Sequence, residues 1–113
     1  MAYYNRGGYY DENGNYEKAI NDYTTALNID NKFEYAYYNR GLVYGKIGNY
    51  EKAIQDFSIA IKLNPKGAEN YYNRGIASLK LGKKTEAFND YRTSAKLGCE
   101  PAREFLKAQG VEW

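Results

Sequence analysis

Tyrosine, asparagine and arginine stand side by side three times in the chain, at residues 4–6, 38–40 and 72–74. A tyrosine ring offers a rigid apolar surface with a hydroxyl at its tip, and a carboxamide both donates and accepts hydrogen bonds. A guanidinium presents a planar fork of donors that matches a carboxylate. These groups are suited to recognition by contact and hydrogen bonding. The triplets therefore predict a binding surface and internal ion pairs rather than a catalytic centre.

The rest of the composition excludes most catalytic and metal chemistry. The chain has no histidine and a single cysteine, Cys99, so zinc sites of the usual kinds and Cys–His or Ser–His nucleophile pairs are excluded. A lone cysteine forms no internal disulfide, which fits a reducing compartment. Asp11 and Glu12 are the only adjacent carboxylates, and we interpret them as a solvated cluster at a loop edge. We expect no enzymatic activity, cofactor or metal ion.

Charge and length restrict the class of partner. The 113 residues are enough for one domain, and 16 basic against 14 acidic residues leave a net charge of +2. This near balance gives no strong field for nucleic acid or an acidic membrane surface. We find no secretory signal and no apolar run that would span a bilayer. The default expectation is a cytoplasmic protein.

The three triplets belong to a segment that recurs every 34 residues, with Asn5, Asn39 and Asn73 at equivalent positions. A fixed period of this size is typical of stacked repeats, in which each unit buries its apolar face against its neighbours. Each unit predicts an antiparallel pair of helices, whose apolar residues are spaced by three and four and whose first member ends at a glycine. The predicted helices cover residues 2–13, 16–29, 34–47, 50–63, 68–81 and 84–97.

The turns carry helix start signals. Asn15 and Asn49 are placed to cap the second helices, and Lys83 replaces them in the third unit. Asn31 followed by Glu34 predicts a capping box. After Pro101 the repeat loses its fidelity, and one more short helix is predicted over 101–109. Its apolar face, which includes Phe105 and Leu106 in register with Tyr71 and Tyr72, would cover the last unit, with Trp113 anchored on it.

The residues that recur resemble the tetratricopeptide repeat family. A large aromatic, a glycine, a second aromatic and then alanine followed by an aromatic occur in the first unit at Tyr3, Gly7, Tyr10, Ala19 and Tyr23. The second unit has the same pattern at Tyr37, Gly41, Tyr44, Ala53, Phe57 and Pro65, and the third at Tyr71, Gly75, Ala87 and Tyr91. The resemblance implies an all-α, right-handed superhelical α-solenoid of three antiparallel helix-turn-helix repeats plus a C-terminal capping helix. The implied units are repeat 1 at 1–33, repeat 2 at 34–67, repeat 3 at 68–98 and the capping helix at 99–113.

Arginine and aspartate depart from the family pattern. Arginine stands before the glycine of each unit, where leucine is usual, and an aspartate precedes each second-helix aromatic. A helical wheel points the arginines towards the preceding unit and the aspartates towards the following one. It predicts the inter-repeat ion pairs Asp22–Arg40 and Asp56–Arg74. The alternative is that the guanidiniums only extend over apolar surface.

The resemblance also implies a concave groove lined by the first helix of each unit. The groove residues predicted by the wheel are Tyr4, Asn5, Tyr35, Tyr38, Asn39, Leu42, Lys46, Tyr72, Asn73, Ile76 and Lys80, and Met1, Glu69, Gly45 and Leu79 continue the strip. Rigid rings and carboxamides that pair in both directions suit an extended peptide or a helix of a partner protein.

Other interpretations remain open. The tyrosines and asparagines could be copied by duplication without any ligand, and the first unit could self-associate through an uncovered outer face. The chain could equally be a fragment of a longer array or an engineered repeat protein. Single-stranded RNA binding is disfavoured by the charge. Some family members hold chaperone tails with a basic clamp, but of the matching positions Tyr4, Gly8, Asn39, Glu69 and Asn73 only Asn39 fits, so we expect no such activity.

Overall fold

A computed structural model describes residues 2–113, and all regular elements in that range are α-helices. Met1, which the sequence places on the groove strip, lies outside the described residues. No helix in the described range is long and apolar enough to cross a membrane. The helices are α1 Ala2–Glu12, α2 Tyr16–Ile29, α3 Glu34–Lys46, α4 Tyr50–Leu63, α5 Ala68–Lys80, α6 Lys84–Lys96 and α7 Glu100–Ala108.

The predicted helix boundaries agree with the structure to within one residue. Helices α2 and α4 begin and end as predicted, whereas α1, α3, α5 and α6 each end one residue early. Gly14, Gly48 and Gly82 follow the first helices with φ angles of 77°, 81° and 77°. Glycine adopts this left-handed conformation without the steric penalty that a Cβ would cause, so the predicted glycine stop signals are confirmed.

Two of the predicted caps are wrong. The Asn49 side chain accepts a hydrogen bond from the Lys52 amide at 3.3 Å, but Asn15 makes no side-chain cap, and nothing in the structure explains the difference. The Asn31–Glu34 capping box does not form, because Phe33 occupies the N-cap position of α3. The Phe33 ring instead packs on Tyr4 at 4.6 Å between centroids.

The helices form a stack of antiparallel hairpins, α1–α2, α3–α4 and α5–α6, with α7 packed on α6. Successive hairpins join through α2 against α3 and α4 against α5. The first helices also touch one another, α1 with α3 and α3 with α5, while the second helices make no comparable contact. The array, 43 × 24 × 20 Å in extent, therefore curves with α1, α3 and α5 on its inner side. This is an all-α helical repeat solenoid.

Close helix approach explains the small residues of each hairpin. A Cβ added at Gly7 would lie 2.8 Å from the Tyr23 ring, and one added at Gly41 would lie 2.9 Å from the Phe57 ring. Ala19 and Ala53, on the opposing helices, are fully buried. Each ring of the second helix thus lies directly on a backbone that has no side chain.

Helix α7 covers the end of the stack. Phe105 packs against Tyr91 at 4.3 Å and Phe88 at 5.8 Å between ring centroids, and Leu106 is fully buried. Helix α7 begins at Glu100, two residues earlier than the start of α5 at Ala68 would place it with a 34-residue period. Trp113 lies on this helix, with the Arg103 guanidinium 4.4 Å from its ring.

Candidate functional site

The inner face carries the tyrosines of the three triplets. Each ring leans on the aromatic residue of the second helix in its own repeat, at centroid distances of 5.7 Å for Tyr4, 6.0 Å for Tyr38 and 5.8 Å for Tyr72. All three side chains are partly buried. Part of each ring therefore belongs to the packing of the hairpin, and the remainder faces the groove.

The tyrosines and asparagines form a hydrogen-bond ladder between repeats. The Asn39 amide nitrogen donates to the Tyr4 hydroxyl at 2.7 Å and to the Tyr35 carbonyl at 2.9 Å. The Asn73 amide nitrogen donates in the same way to the Tyr38 hydroxyl at 3.2 Å and to the Glu69 carbonyl at 2.9 Å.

This ladder corrects the expectation that the carboxamides pair with a ligand in both directions. A carboxamide has two donor hydrogens, and both are already used in Asn39 and Asn73, so only their oxygens remain as acceptors. Burial raises the pKa of the Tyr4 and Tyr38 hydroxyls. Each hydroxyl therefore keeps its own hydrogen to donate at neutral pH.

Two hollows lie along the inner face, and both are lined by predicted groove residues. The hollow between α3 and α5 has a volume of about 250 Å³, and Leu42, Gly45, Ile76 and Ala77 form its walls with Phe57 beneath. Asn73, Lys46 and Lys80 complete its lining. We call this hollow the α3–α5 pocket.

The second hollow lies between α1 and α3 and has a volume of about 380 Å³. Tyr4, Asn5 and Asn39 line it, and Asp11 and Glu12 add two carboxylates with no basic residue in the lining. We call it the α1–α3 hollow. The inner face is thus acidic at one end and apolar with lysines at the other. Tyr35, at the start of α3, is largely exposed and lines neither hollow, and Tyr72 packs with Ile76 against the cluster of buried residues under α7.

One ion pair of the groove was not predicted from the sequence. The Lys46 ammonium lies 2.7 Å from a carboxylate oxygen of Asp11, so it joins α3 to α1. The pair spans 35 residues, one more than the repeat period. A residue on one first helix faces the residue 35 positions later on the next first helix. Opposite charges at this spacing were the sequence signal that could have revealed the pair.

The predicted pairs Asp22–Arg40 and Asp56–Arg74 are wrong. Every arginine of the triplets pairs with the aspartate of its own repeat through two hydrogen bonds of 2.7 to 2.8 Å. The observed pairs are Arg6–Asp22, Arg40–Asp56 and Arg74–Asp90. Hydrogen bonding from Arg6 lowers the pKa of Asp22, and hydrogen bonding to the carboxylates raises the pKa of Arg40 and Arg74.

The antiparallel arrangement explains the correction. Within a hairpin the first and second helices run in opposite directions, and this arrangement brings Asp56 level with Arg40 across the space between α3 and α4. The guanidinium reaches the preceding repeat through its remaining nitrogen, which donates to the Thr24 hydroxyl from Arg40 at 3.0 Å and to the Ser58 hydroxyl from Arg74 at 3.2 Å. The arginines therefore do connect neighbouring repeats, but to hydroxyls that the wheel argument overlooked.

The five positions of the chaperone-tail clamp carry no positive charge in the structure. Tyr4 and Asn39 are joined by a hydrogen bond, a Cβ added at Gly8 would lie 3.7 Å from the Tyr23 hydroxyl, and Glu69 is exposed. The expectation that this chain does not hold chaperone tails through such a clamp stays a prediction.

No group of three or more metal-ligating side chains is found in the described range 2–113.

Comparison with known proteins supplies a family and a set of structural neighbours. Models described as tetratricopeptide repeat match residues 34–66 and 68–97, and one described as TPR repeat matches 9–48. A search of curated protein sequences found no match.

The structural neighbours are helical repeat domains. The second TPR of Spaghetti (RPAP3), bound to the HSP90 peptide SRMEEVD, is 34% identical over 85% of this chain and 89% of its own, with a TM-score of 0.83. The second TPR domain of human RPAP3, in complex with the HSP70 peptide SGPTIEEVD, is 33% identical over 96% of this chain and 92% of its own, with a TM-score of 0.87. MamA is 26% identical over 90% of this chain and 60% of its own, with a TM-score of 0.84.

Proposed function

We propose, because the chain belongs to the tetratricopeptide repeat family, that it is a protein-interaction module that binds an extended peptide or a helix of a partner protein on its inner face. The observation that carries this proposal is the α3–α5 pocket, an open apolar hollow of about 250 Å³ lined by five of the predicted groove residues. The names of the two RPAP3 neighbours describe domains bound to peptides, which supports the same class of ligand.

The geometry of the inner face suits a peptide backbone. The free oxygens of Asn39 and Asn73 are acceptors for ligand N–H groups, and the Tyr4 and Tyr38 hydroxyls retain a hydrogen to donate to ligand carbonyls. An extended chain rises about 3.3 Å per residue, so about three residues would span one pair of neighbouring helices. The α3–α5 pocket would then take one apolar side chain.

Selection of a displayed random-peptide library on the immobilised protein tests the proposal. The informative variant is Gly45→Leu, because a Cβ at Gly45 meets nothing within 4 Å and the leucine would fill the pocket without straining the fold. Gln55→Leu, an exposed position on α4 outside the pocket, is the matched control. We expect enriched peptides to bind the wild type and the control and to lose binding to Gly45→Leu. Peptides that bind all three proteins equally would place the ligand elsewhere and contradict the proposal.

A second candidate is self-association through the exposed face of repeat 1 that carries Arg6 and Tyr9, the latter also lining the α1–α3 hollow. Tyr9 is 62% exposed, whereas Val43 and Ala77, at the same position of repeats 2 and 3, are 0% and 3% exposed. The Arg6 side chain is likewise 56% exposed, against 17% for Arg40. In repeats 2 and 3 this face packs against the preceding hairpin, so a second copy is one occupant that would cover it.

Sedimentation velocity across a concentration series tests self-association. We expect Tyr9→Ser to weaken a dimer and Tyr35→Ser, a comparably exposed tyrosine on another surface, to leave it unchanged. A wild-type protein that stays monomeric at every concentration would remove this candidate.

A further inference from the structure

The repeat register exposes a missing ion pair in the groove. Lys46 pairs with Asp11, which lies 35 residues before it on the neighbouring first helix. The same step back from Lys80 leads to Gly45, which has no side chain. Lys80 is exposed and forms no ion pair among residues 2–113. Repeats 2 and 3 thus both carry this lysine, but only the lysine of repeat 2 has a carboxylate partner within the described residues.

The space at Gly45 is open. A Cβ built there has no neighbour within 4 Å, and Gly45 and Lys80 line the same α3–α5 pocket. The 2.7 Å contact between Asp11 and Lys46 shows how a carboxylate would lie against the equivalent lysine. An outside carboxylate could therefore occupy the position that Asp11 fills one repeat earlier.

The walls of the α3–α5 pocket determine which kind of ligand side chain would lie beside that carboxylate. Leu42 and Ile76 stand where repeat 1 has Gly8, so the α3–α5 pocket has aliphatic walls that the α1–α3 hollow lacks. A branched aliphatic side chain of a ligand would bury apolar surface there at about 25 cal/mol per Å². A carboxylate and an aliphatic side chain of the ligand would thus lie at neighbouring points of the same pocket.

The charges of the rest of the groove limit how acidic the ligand can be. Glu12 lines the α1–α3 hollow and Glu69 is exposed on α5, whereas Asp11 is already paired with Lys46. A run of acidic residues laid along the inner face would bring like charges together. The groove therefore favours a single carboxylate at Lys80 over an acidic tract.

On the basis of the proposed function, we propose that the groove selects peptides in which one aliphatic residue lies within two residues of one Asp or Glu, whose side-chain carboxylate pairs with Lys80. The vacancy at Gly45 creates the site, because it leaves both the room for the ligand and the lysine without an internal partner. The ligand carboxylate would pair with Lys80 as Asp11 pairs with Lys46 one repeat earlier.

Two-dimensional NMR titration with acetylated and amidated heptapeptides tests the proposal. GSGLEGS carries the leucine and the single carboxylate, GSGLQGS removes the charge, GSGLKGS reverses it, and GEEEGLE adds an acidic tract. We expect GSGLEGS to shift amide signals around Gly45 and Lys80 and to bind about fivefold more tightly than GSGLQGS, the effect of one ion pair at a partly exposed site. GSGLKGS and GEEEGLE should bind more weakly still.

Variants of the two key positions separate charge from shape. Gly45→Asp would supply the internal carboxylate and should reduce GSGLEGS binding to the level of GSGLQGS or below, while the isosteric Gly45→Asn should bind GSGLEGS more tightly than Gly45→Asp does. Lys80→Glu should reverse the preference, so that GSGLKGS becomes the tightest ligand. Lys62→Ala, which removes an exposed lysine of α4 that does not line the pocket, is the control that should leave the preference for GSGLEGS over GSGLQGS unchanged. Thermal unfolding of each variant confirms that it is folded.

The outcomes distinguish this inference from the function on which it rests. Equal binding of GSGLEGS and GSGLQGS to the wild type, or an unchanged preference in Lys80→Glu, would overturn the Lys80 proposal. If Gly45→Leu still blocked peptide binding in that case, the groove function would stand without it. Signal shifts confined to residues outside the inner face, together with a failed library selection, would count against both.

Discussion

At the scale of single residues, the arginine of each triplet pairs with the aspartate of its own hairpin, and Arg40 and Arg74 also reach the preceding hairpin. Arg40 makes two hydrogen bonds to Asp56 at 2.8 Å and a third to Thr24 at 3.0 Å, and its side chain is only 17% exposed. Removing one member of such a pair leaves the other charge buried without a partner. The resulting loss of folding free energy is much larger than the difference in stability between the intact pair and apolar residues at the same positions. The sequence pattern identified these side chains correctly but predicted the wrong partners. A helical wheel shows the direction in which a side chain points, but not its position along the helix axis.

The corrected pairing predicts which residues are energetically coupled. We expect Asp56→Asn to lower the free energy of unfolding by about 2–4 kcal/mol, since Asp56 and Arg40 are both largely buried. A double-mutant cycle should give clear coupling between Asp56 and Arg40. The cycle between Asp22 and Arg40 should give none, and strong coupling there would restore the pairing that the structure contradicts. Urea denaturation followed by circular dichroism measures both.

Acidification tests the ion pair of repeat 1. The Arg6 hydrogen bonds lower the pKa of Asp22 below its usual value. A carboxyl group whose pKa is lower in the folded than in the unfolded state stabilises the fold above the unfolded pKa of about 3.9, and this contribution is lost as pH falls through the folded pKa. We expect the stability difference between wild type and Asp22→Asn to shrink as the pH is lowered from 6 to about 3. A difference that is independent of pH would show that Asp22 acts through packing alone.

At the scale of helices, the glycines of the first helices do two different jobs. Gly41 lies under the Phe57 ring, where an added Cβ would be 2.9 Å from a ring carbon, whereas Gly45, one turn later, faces open space. The 34-residue period, the hairpins and the helix ends could be predicted from the sequence because they depend on local pattern and on glycine turns. The α3–α5 pocket could not, since an empty space follows from the distance between α3 and α5 and leaves no periodic signal at Gly45.

Alanine substitution at these two glycines should have opposite effects. Gly41→Ala overpacks the hairpin against Phe57, and we expect it to lower the free energy of unfolding by about 1–3 kcal/mol. Gly45→Ala removes a helix-destabilising glycine without any contact, and should raise it by about 0.5–1 kcal/mol. Chemical denaturation of the two variants beside the wild type checks the sign. Destabilisation by Gly45→Ala would mean that the backbone of α3 needs the glycine at that position.

At the scale of the whole molecule, the main helix contacts among residues 2–113 lie within a repeat or between neighbouring repeats, so each repeat is stabilised mainly by its neighbours. Hydrogen bonds join neighbouring repeats at two places. Asn39 and Asn73 donate to tyrosine hydroxyls on the inner face, and Arg40 and Arg74 donate to hydroxyls of the preceding second helix. A stack of this kind is held at its ends by whatever covers the last apolar face. Here that element is α7, with Leu106 fully buried against α6.

The covering role of α7 can be followed through Trp113, which is the only tryptophan of the chain. Its ring lies over Arg103 on α7, so its fluorescence reports on this helix while circular dichroism reports on all seven. We expect Leu106→Ala to destabilise the α6–α7 contact by about 2–4 kcal/mol, since truncating a buried leucine loses contacts and leaves a cavity. In that variant the fluorescence transition in urea should precede the circular dichroism transition, because α7 separates before repeats 1 and 2 unfold. Phe105→Leu, which keeps an apolar side chain on the same helix, should shift both transitions less, and coincident transitions in Leu106→Ala would mean that the stack unfolds as a single cooperative unit.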